Sequence, residues 1–168
     1  GIKELGSYYT GFLYIGLMIV DNEPYLIEFN VRMGDPECQT ILPLLETDLG
    51  EIILACCEKK LSNLKIKWKN KKSICIVLCS NGYPDKYEKN VNIDKVKNII
   101  LKNEEYIFHA GTKIEGNKYL ATGGRVLNIV AVTEEFSISK NKTIKILETL
   151  NWKKGFYRKD IGYKVINI

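Results

Sequence analysis

The stretch Ile27-Glu28-Phe29-Asn30-Val31-Arg32-Met33 constrains this chain more than any other. Side chains alternate faces along an extended strand, so Ile27, Phe29, Val31 and Met33 share one face and Glu28, Asn30 and Arg32 the other. The first face is apolar throughout. The second lines up a carboxylate, an amide oxygen and a fixed cation, roughly 6.5 Å from one to the next. Alternation alone also describes a half-buried antiparallel strand with a solvated polar face. The residues that follow, Gly34-Asp35-Pro36-Glu37, add more. Gly34 permits an unusual backbone angle, Asp35 can cap a helix, and Pro36 suits a first helical position. A carboxylate beside an amide oxygen suits a hard cation such as Mg²⁺, and a neighbouring arginine suits the phosphate oxygens such a cation carries. The pattern reads as a Mg²⁺–nucleotide site at a strand end.

Tyr9 to Val20 forms the preceding apolar run, Asp21-Asn22-Glu23-Pro24 is turn chemistry, and Tyr25 to Val31 is the returning strand, together a β-hairpin. A short helix follows and meets Pro43. A second helix starts at Asp48, where Asp48 and Glu51 have capping-box spacing, and runs to about Lys60. Its Leu49, Ile52, Ile53 and Cys56 recur at helical spacing, which predicts a face packed on a sheet. Beyond Leu61 the character changes. A lysine-rich connector leads to a continuous apolar strand, Ile74 to Cys79, then Ser80-Asn81-Gly82-Tyr83-Pro84. Strands are expected at Tyr106 to Ala110, Lys118 to Thr122 and Arg125 to Val132, the last two joined across a Gly123-Gly124 hairpin turn. A helix from Glu134 to Leu150 completes a small α+β domain.

Two divisions follow: residues 1–63 with the hairpin, and residues 64–168. The 168 residues could bury about 70% of their unfolded surface. The net charge of +5 comes from lysines spread along the chain, and the densest run, Lys69 to Lys72, lacks aromatic stacking platforms, so no nucleic-acid partner is expected. No apolar run reaches the ~18 residues of a membrane span. Cys38, Cys56, Cys57, Cys75 and Cys79 form no metal spacing and read as free thiols in a reducing cytoplasm. The chain opens at Gly1 in what reads as a piece of a longer protein. His109, the single histidine, reads as structural, and Trp68 and Trp152 as packing anchors. Phe29 should be costly to truncate if it is buried. Arg125, beside Gly123-Gly124, is a candidate for reaching substrate or the part of the protein that precedes this chain.

Tyr9-Thr10-Gly11-Phe12-Leu13-Tyr14, Ile27 to Arg32 and Gly34-Asp35-Pro36-Glu37 resemble the C-terminal part of the phosphoribosylamine–glycine ligases, which are ATP-grasp enzymes of purine biosynthesis. Ser80-Asn81-Gly82-Tyr83-Pro84, Phe108-His109-Ala110-Gly111-Thr112, Thr122-Gly123-Gly124-Arg125-Val126-Leu127 and Arg158-Lys159-Asp160-Ile161-Gly162 extend the likeness in order along the chain. The resemblance implies the C-terminal half of an ATP-grasp domain, an antiparallel hairpin plus helices, followed by a small α+β domain. It implies ATP, Mg²⁺ or Mn²⁺, glycine and 5-phosphoribosylamine as cofactors and substrates, with glycine activated as an acyl phosphate. Glu28 and Asn30 fall on its metal ligands, Arg32 on its phosphate-binding position, and Asp35 and Glu37 on the substrate side. Tyr14 to Met18 offers no second metal carboxylate, and the loops and lysines that hold the nucleotide are not within these residues, so the segment is not expected to act alone. Another ATP-grasp carboxylate–amine ligase, or a non-catalytic module retaining the fold, are the alternatives.

Overall fold

A computed structural model describes residues 1–166. The chain divides into two compact units, one of residues 1–38 and 45–69, the other of residues 39–44 and 70 onward.

In the first unit, β1 (Tyr14–Val20) and β2 (Glu23–Asn30) form an antiparallel hairpin. Its turn is tighter than the sequence implies. Asp21 and Asn22 alone make it, with φ of 50° and 64°, the left-handed pair that a two-residue turn between twisted strands requires. β2 stops at Asn30, so Val31 and Arg32 lie past the strand rather than on it. A bulge interrupts the ladder: Leu17 pairs with Leu26 but Gly16 pairs with Glu28, leaving Ile27 as the extra residue.

Both faces of the hairpin are open within this unit. Ile15, Met18 and Ile27 are exposed, and Phe29 retains 58% of its surface, so its truncation does not create the buried cavity that the apolar face suggested. Two strands have no second layer of their own to bury against.

The Asp35-Pro36 peptide is cis, and α1 (Glu37–Ile41) begins one residue beyond the proline, which therefore sits in the turn instead of the first helical position. Leu42–Leu44 continues as a 3₁₀ turn at Pro43. α2 (Leu49–Cys57) starts as its capping box implies, with Asp48 Oδ1 accepting from Glu51 N at 3.1 Å. Of its apolar face only Ile52 is buried, while Ile53 and Leu54 are exposed, so the expected packing on a sheet is absent from this unit. Trp68 bridges to Leu45 yet remains half exposed, a weaker anchor than expected.

The second unit holds the larger core. β3 (Lys72–Ser80), β5 (Glu105–His109), β8 (Arg125–Thr133) and β9 (Gly155–Phe156) form an antiparallel sheet in the order β5-β8-β3-β9. β4 (Val91–Asn92), β6 (Thr112–Glu115) and β7 (Lys118–Ala121) form a second sheet in the order β4-β7-β6. α3 (Phe136–Leu150) lays Ile146, Leu147 and Leu150 against Ile76, Leu127 and Ile129. The continuous apolar character of β3 and β8 follows from burial on both faces: α3 packs on one, while Cys75, Val130 and Val132 form a second cluster with Leu44 on the other. α3 ends at Asn151, whose φ of 44° is the left-handed cap that asparagine tolerates. Trp152 next to it donates from Nε1 to Asn92 O at 2.9 Å, an anchor as expected. α4 (Tyr163–Ile166) closes the described chain.

Gly123-Gly124 is not a hairpin turn. β7 and β8 belong to different sheets and do not pair, so the two glycines carry the chain from one sheet to the other. Lys71, in the lysine-rich connector, pairs with Glu104 at 2.6 Å. No helix among the described residues is long and apolar enough to cross a membrane.

Candidate functional site

β2 places Glu28 and Asn30 two residues apart on one side of the hairpin, and their side chains meet: Asn30 Nδ2 donates to Glu28 Oε1 at 2.9 Å. With its amide nitrogen committed to the carboxylate, Asn30 keeps its carbonyl oxygen as the donor to any cation. β1 supplies the surroundings. Tyr14 is the ladder partner of Asn30, and Gly16 that of Glu28. A Cβ on Gly16 would stand 3.0 Å from Glu28 Cγ, so glycine leaves the carboxylate its room.

Glu37, at the head of α1, folds back over the preceding turn. A Cβ on Gly34 would lie 2.3 Å from Glu37 Oε2 and 3.2 Å from the Tyr14 ring, so this fold-back also depends on a glycine. Cys38 N closes the turn by donating to Gly34 O at 2.9 Å. Tyr14 Oη donates to Glu37 Oε1 at 3.4 Å. The negative charge of Glu37, then burial, the bond to Glu37 and the charge of Glu28 raise the Tyr14 pKa above its ordinary value. Both carboxylates therefore act on one phenol. Burial, and secondarily the charge of Asp35, push the Cys38 thiol up as well, which makes it a poor nucleophile.

Glu28, Asn30 and Glu37 are thus gathered around Tyr14. Arg32 lies just past the strand and donates from Nη1 to Met33 O at 2.8 Å. Asp35 stands in the turn before α1. Arg125 belongs to the second unit, where its Nε donates to Tyr83 Oη at 3.0 Å. His109 Nδ1 and Thr112 Oγ1 are 2.9 Å apart, and burial lowers the histidine pKa.

The donor set of Glu28 and Asn30 is oxygen only, which fits a hard cation. Among the described residues no group of three His, Cys, Asp or Glu side chains could enclose a metal. Two oxygen donors leave most of the coordination shell of a hard cation to ligands other than this pair. Sequence reasoning passed over Tyr14 because it looked there for a carboxylate. The signal available was its place across the hairpin from the polar residues of β2.

A model of the phosphoribosylglycinamide synthetase C domain matches residues 73–164, and one of the ATP-grasp (A) domain of the same synthetase matches residues 1–38. The phosphoribosylamine–glycine ligase of Caldanaerobacter subterraneus is 41% identical over 161 residues, 96% of this chain and 38% of that protein. The trifunctional purine biosynthetic protein adenosine-3 of Gallus gallus is 41% identical over 170 residues, 99% of this chain and 17% of that protein. A crystal structure of phosphoribosylamine–glycine ligase from Thermotoga maritima superposes with a TM-score of 0.75 at 31% identity, covering 95% of this chain and 39% of that one. The mixed helix-and-sheet fold is therefore shared. The chain spans less than two fifths of the single-function ligase, 38% in the first comparison. Across both units, the chain belongs to the phosphoribosylglycinamide synthetase family.

Proposed function

We propose that this chain supplies the metal-facing edge of an ATP-grasp ligase that joins glycine to 5-phosphoribosylamine in the cytoplasm, acting within a longer protein. In this reading residues 1–63 serve the ATP-grasp part and residues 64–168 the C-terminal domain. The observation that carries it is the Glu28–Asn30 pair, in contact at 2.9 Å and backed by Tyr14 and Glu37, in a chain of this family.

The γ-phosphoryl group of ATP passes to a carboxylate oxygen of glycine and ADP leaves. The amine of phosphoribosylamine then attacks the carbonyl carbon, phosphate departs, and the nitrogen loses a proton. Glu28 and the amide oxygen of Asn30 would hold Mg²⁺ or Mn²⁺, which when bound offsets charge on the phosphate oxygens. Arg32 swings from Met33 O to the transferring phosphoryl group, where a guanidinium matches its oxygens. Asp35 and Glu37 present carboxylates to the amine-bearing ends of the substrates, and Tyr14 holds Glu37 in place. Arg125 contributes a cation toward substrate. Neither nucleic acid nor a membrane has a part in this chemistry.

An ADP-release assay on the full-length protein, beside this segment alone, tests the reading. Release that requires glycine, phosphoribosylamine and a divalent cation, with the segment inactive, supports it. Release driven by a different acid assigns the chain to another ATP-grasp ligase, and no release from folded full-length protein makes it a non-catalytic module.

A further inference from the structure

Asn81-Gly82 is the single asparagine–glycine pair in the chain. It occupies the two central places of the turn after β3, which Tyr83 N closes by donating to Ser80 O at 3.1 Å. Both residues are exposed. Ser80 before them is fixed: its Oγ donates to Gly123 O at 2.9 Å and its N to Gly124 O at 2.8 Å. Tyr83 after them is fixed as well. Its ring lies so close on Gly124 that a Cβ there would stand 2.1 Å from Tyr83 Cδ2. The pair therefore sits at the surface between two anchored ends.

Asn81 is tied to the segment that leads into β9. Its backbone N donates to Lys154 O at 3.0 Å and its Nδ2 to Lys153 O at 3.2 Å, the long end of the ordinary range. The second of these is the one bond of its side chain among the described residues. Gly82 has a φ of 94°, as the third residue of such a turn requires, and a Cβ there would stand 2.1 Å from Lys86 O. A turn of this kind spends the carbonyl of its first residue on the N–H of its fourth and leaves the N–H of its third over. Among the described residues Gly82 N accordingly donates no hydrogen bond. An uncommitted amide nitrogen thus directly follows an exposed carboxamide, and no side chain on Gly82 hinders its approach.

We propose that Asn81-Gly82 is a site of spontaneous deamidation, where Asn81 passes through a cyclic imide to aspartate and isoaspartate. Gly82 N gives its proton to solvent base and attacks Asn81 Cγ. The new C–N bond closes a five-membered ring, the Cγ–Nδ2 bond breaks, and Nδ2 leaves as ammonia with a proton from water. Water then reopens the ring. Addition at Cγ gives aspartate, and addition at the backbone carbonyl carbon gives isoaspartate, with Gly82 carried on the former side chain. Nothing is oxidised or reduced. Aspartate puts an oxygen where Nδ2 had donated to Lys153 O, so that tie is lost. Isoaspartate adds a carbon to the main chain beside Gly82, which has no spare room against Lys86 O.

The test is peptide mapping by mass spectrometry of the full-length protein aged folded in warm, mildly alkaline buffer, with the same protein unfolded in urea run beside it. Isoaspartate is read by enzymatic methyl transfer from S-adenosylmethionine to the isolated peptide. The Asn81 peptide gains one mass unit and separates into two products, one of them methylated. Peptides holding Asn22 and Asn117, equally exposed but followed by Glu23 and Lys118, stay unchanged over the same period. Folding slows the reaction at Asn81 by about tenfold at most, the factor that one hydrogen bond carries. Asn81→Gln, which would have to close a six-membered ring, abolishes it. Reaction at Asn81 in urea with none in the folded protein overturns the proposal, since the turn then protects the pair. So does reaction at Asn81 no faster than at Asn22 and Asn117.

Discussion

Gly16 stands directly opposite Glu28 in the hairpin ladder, and a methyl group on Gly16 would reach to 3.0 Å from Glu28 Cγ. The pairing exists only because Ile27 bulges out. From the turn, Val20 pairs with Glu23 and Leu17 with Leu26. Continued without a bulge, that register sets Ile15 across from Glu28 and Tyr14 across from Phe29. The extra residue moves Glu28 onto the glycine and Asn30 onto Tyr14, which brings a phenol and a second carboxylate to the polar pair.

Glu28→Gln should leave the fold intact, since the side chain is exposed and its one bond, to Asn30, can be remade by an amide. In the full-length protein ADP release should fall by roughly two orders of magnitude or more, because a charged ligand to a hard cation is lost. Steady-state assays across a series of Mg²⁺ concentrations, with circular dichroism as the fold control, check this. Unchanged turnover and unchanged metal dependence would remove Glu28 from the site.

Glu37→Gln should bring the Tyr14 pKa down toward its ordinary value of 10.0, since the charge of Glu37 is the largest cause of its rise. Gly34→Ala should act in the same direction by driving the Glu37 carboxylate off the phenol. Tyrosinate absorbance followed against pH, with Tyr14→Phe subtracted, reads the shift. A Tyr14 titration identical in all three backgrounds would mean the contact is absent in solution.

Gly111→Ala should destabilise the second unit by about 1–3 kcal/mol, the usual cost of forcing atoms into a filled space. The added Cβ would meet Gly123 Cα at 2.5 Å and Arg125 O at 2.6 Å, and backbone cannot rotate away as a side chain can. Urea unfolding of the variant beside wild type gives the difference.

Asp94→Asn should lower thermal stability at neutral pH and cease to matter in acid. Asp94 Oδ1 accepts from Tyr119 N at 2.7 Å, Lys97 stands 2.9 Å away, and Asn92 Nδ2 reaches Oδ2 at 2.8 Å. These partners, the Tyr119 N–H foremost, hold the carboxyl well below the usual carboxylate range. A group whose native pKa is depressed stabilises the fold fully above its unfolded value, here 3.8, and loses that contribution as pH falls through the native value. Tm measured from neutral pH downward should show the two proteins converging. A gap that persists undiminished in strong acid would assign the effect to packing.

The sequence by itself determined the elements and the chemistry they carry. Alternation from Ile27 to Asn30 defines a strand with one polar side, Asp48 and Glu51 mark the start of α2, and the unbroken apolar runs of β3 and β8 announce strands covered on both faces. These are local signals, written in periods of two and 3.6 residues and in the needs of orphaned backbone groups. Tertiary structure decided the rest. Whether Phe29 is buried depends on what covers a two-stranded hairpin, and period alone carries no such information. Gly123-Gly124 has the composition of a hairpin turn and becomes a crossing between two sheets, because Gly111 and Ser80 occupy the backbone groups on either side of it. Tyr14 joins Asn30, and Tyr83 joins Arg125, through bulges at Ile27 and Val126. A one-residue slip in a ladder reassigns every partner beyond it, and its position follows from the packing of the assembled strands, which no local pattern encodes.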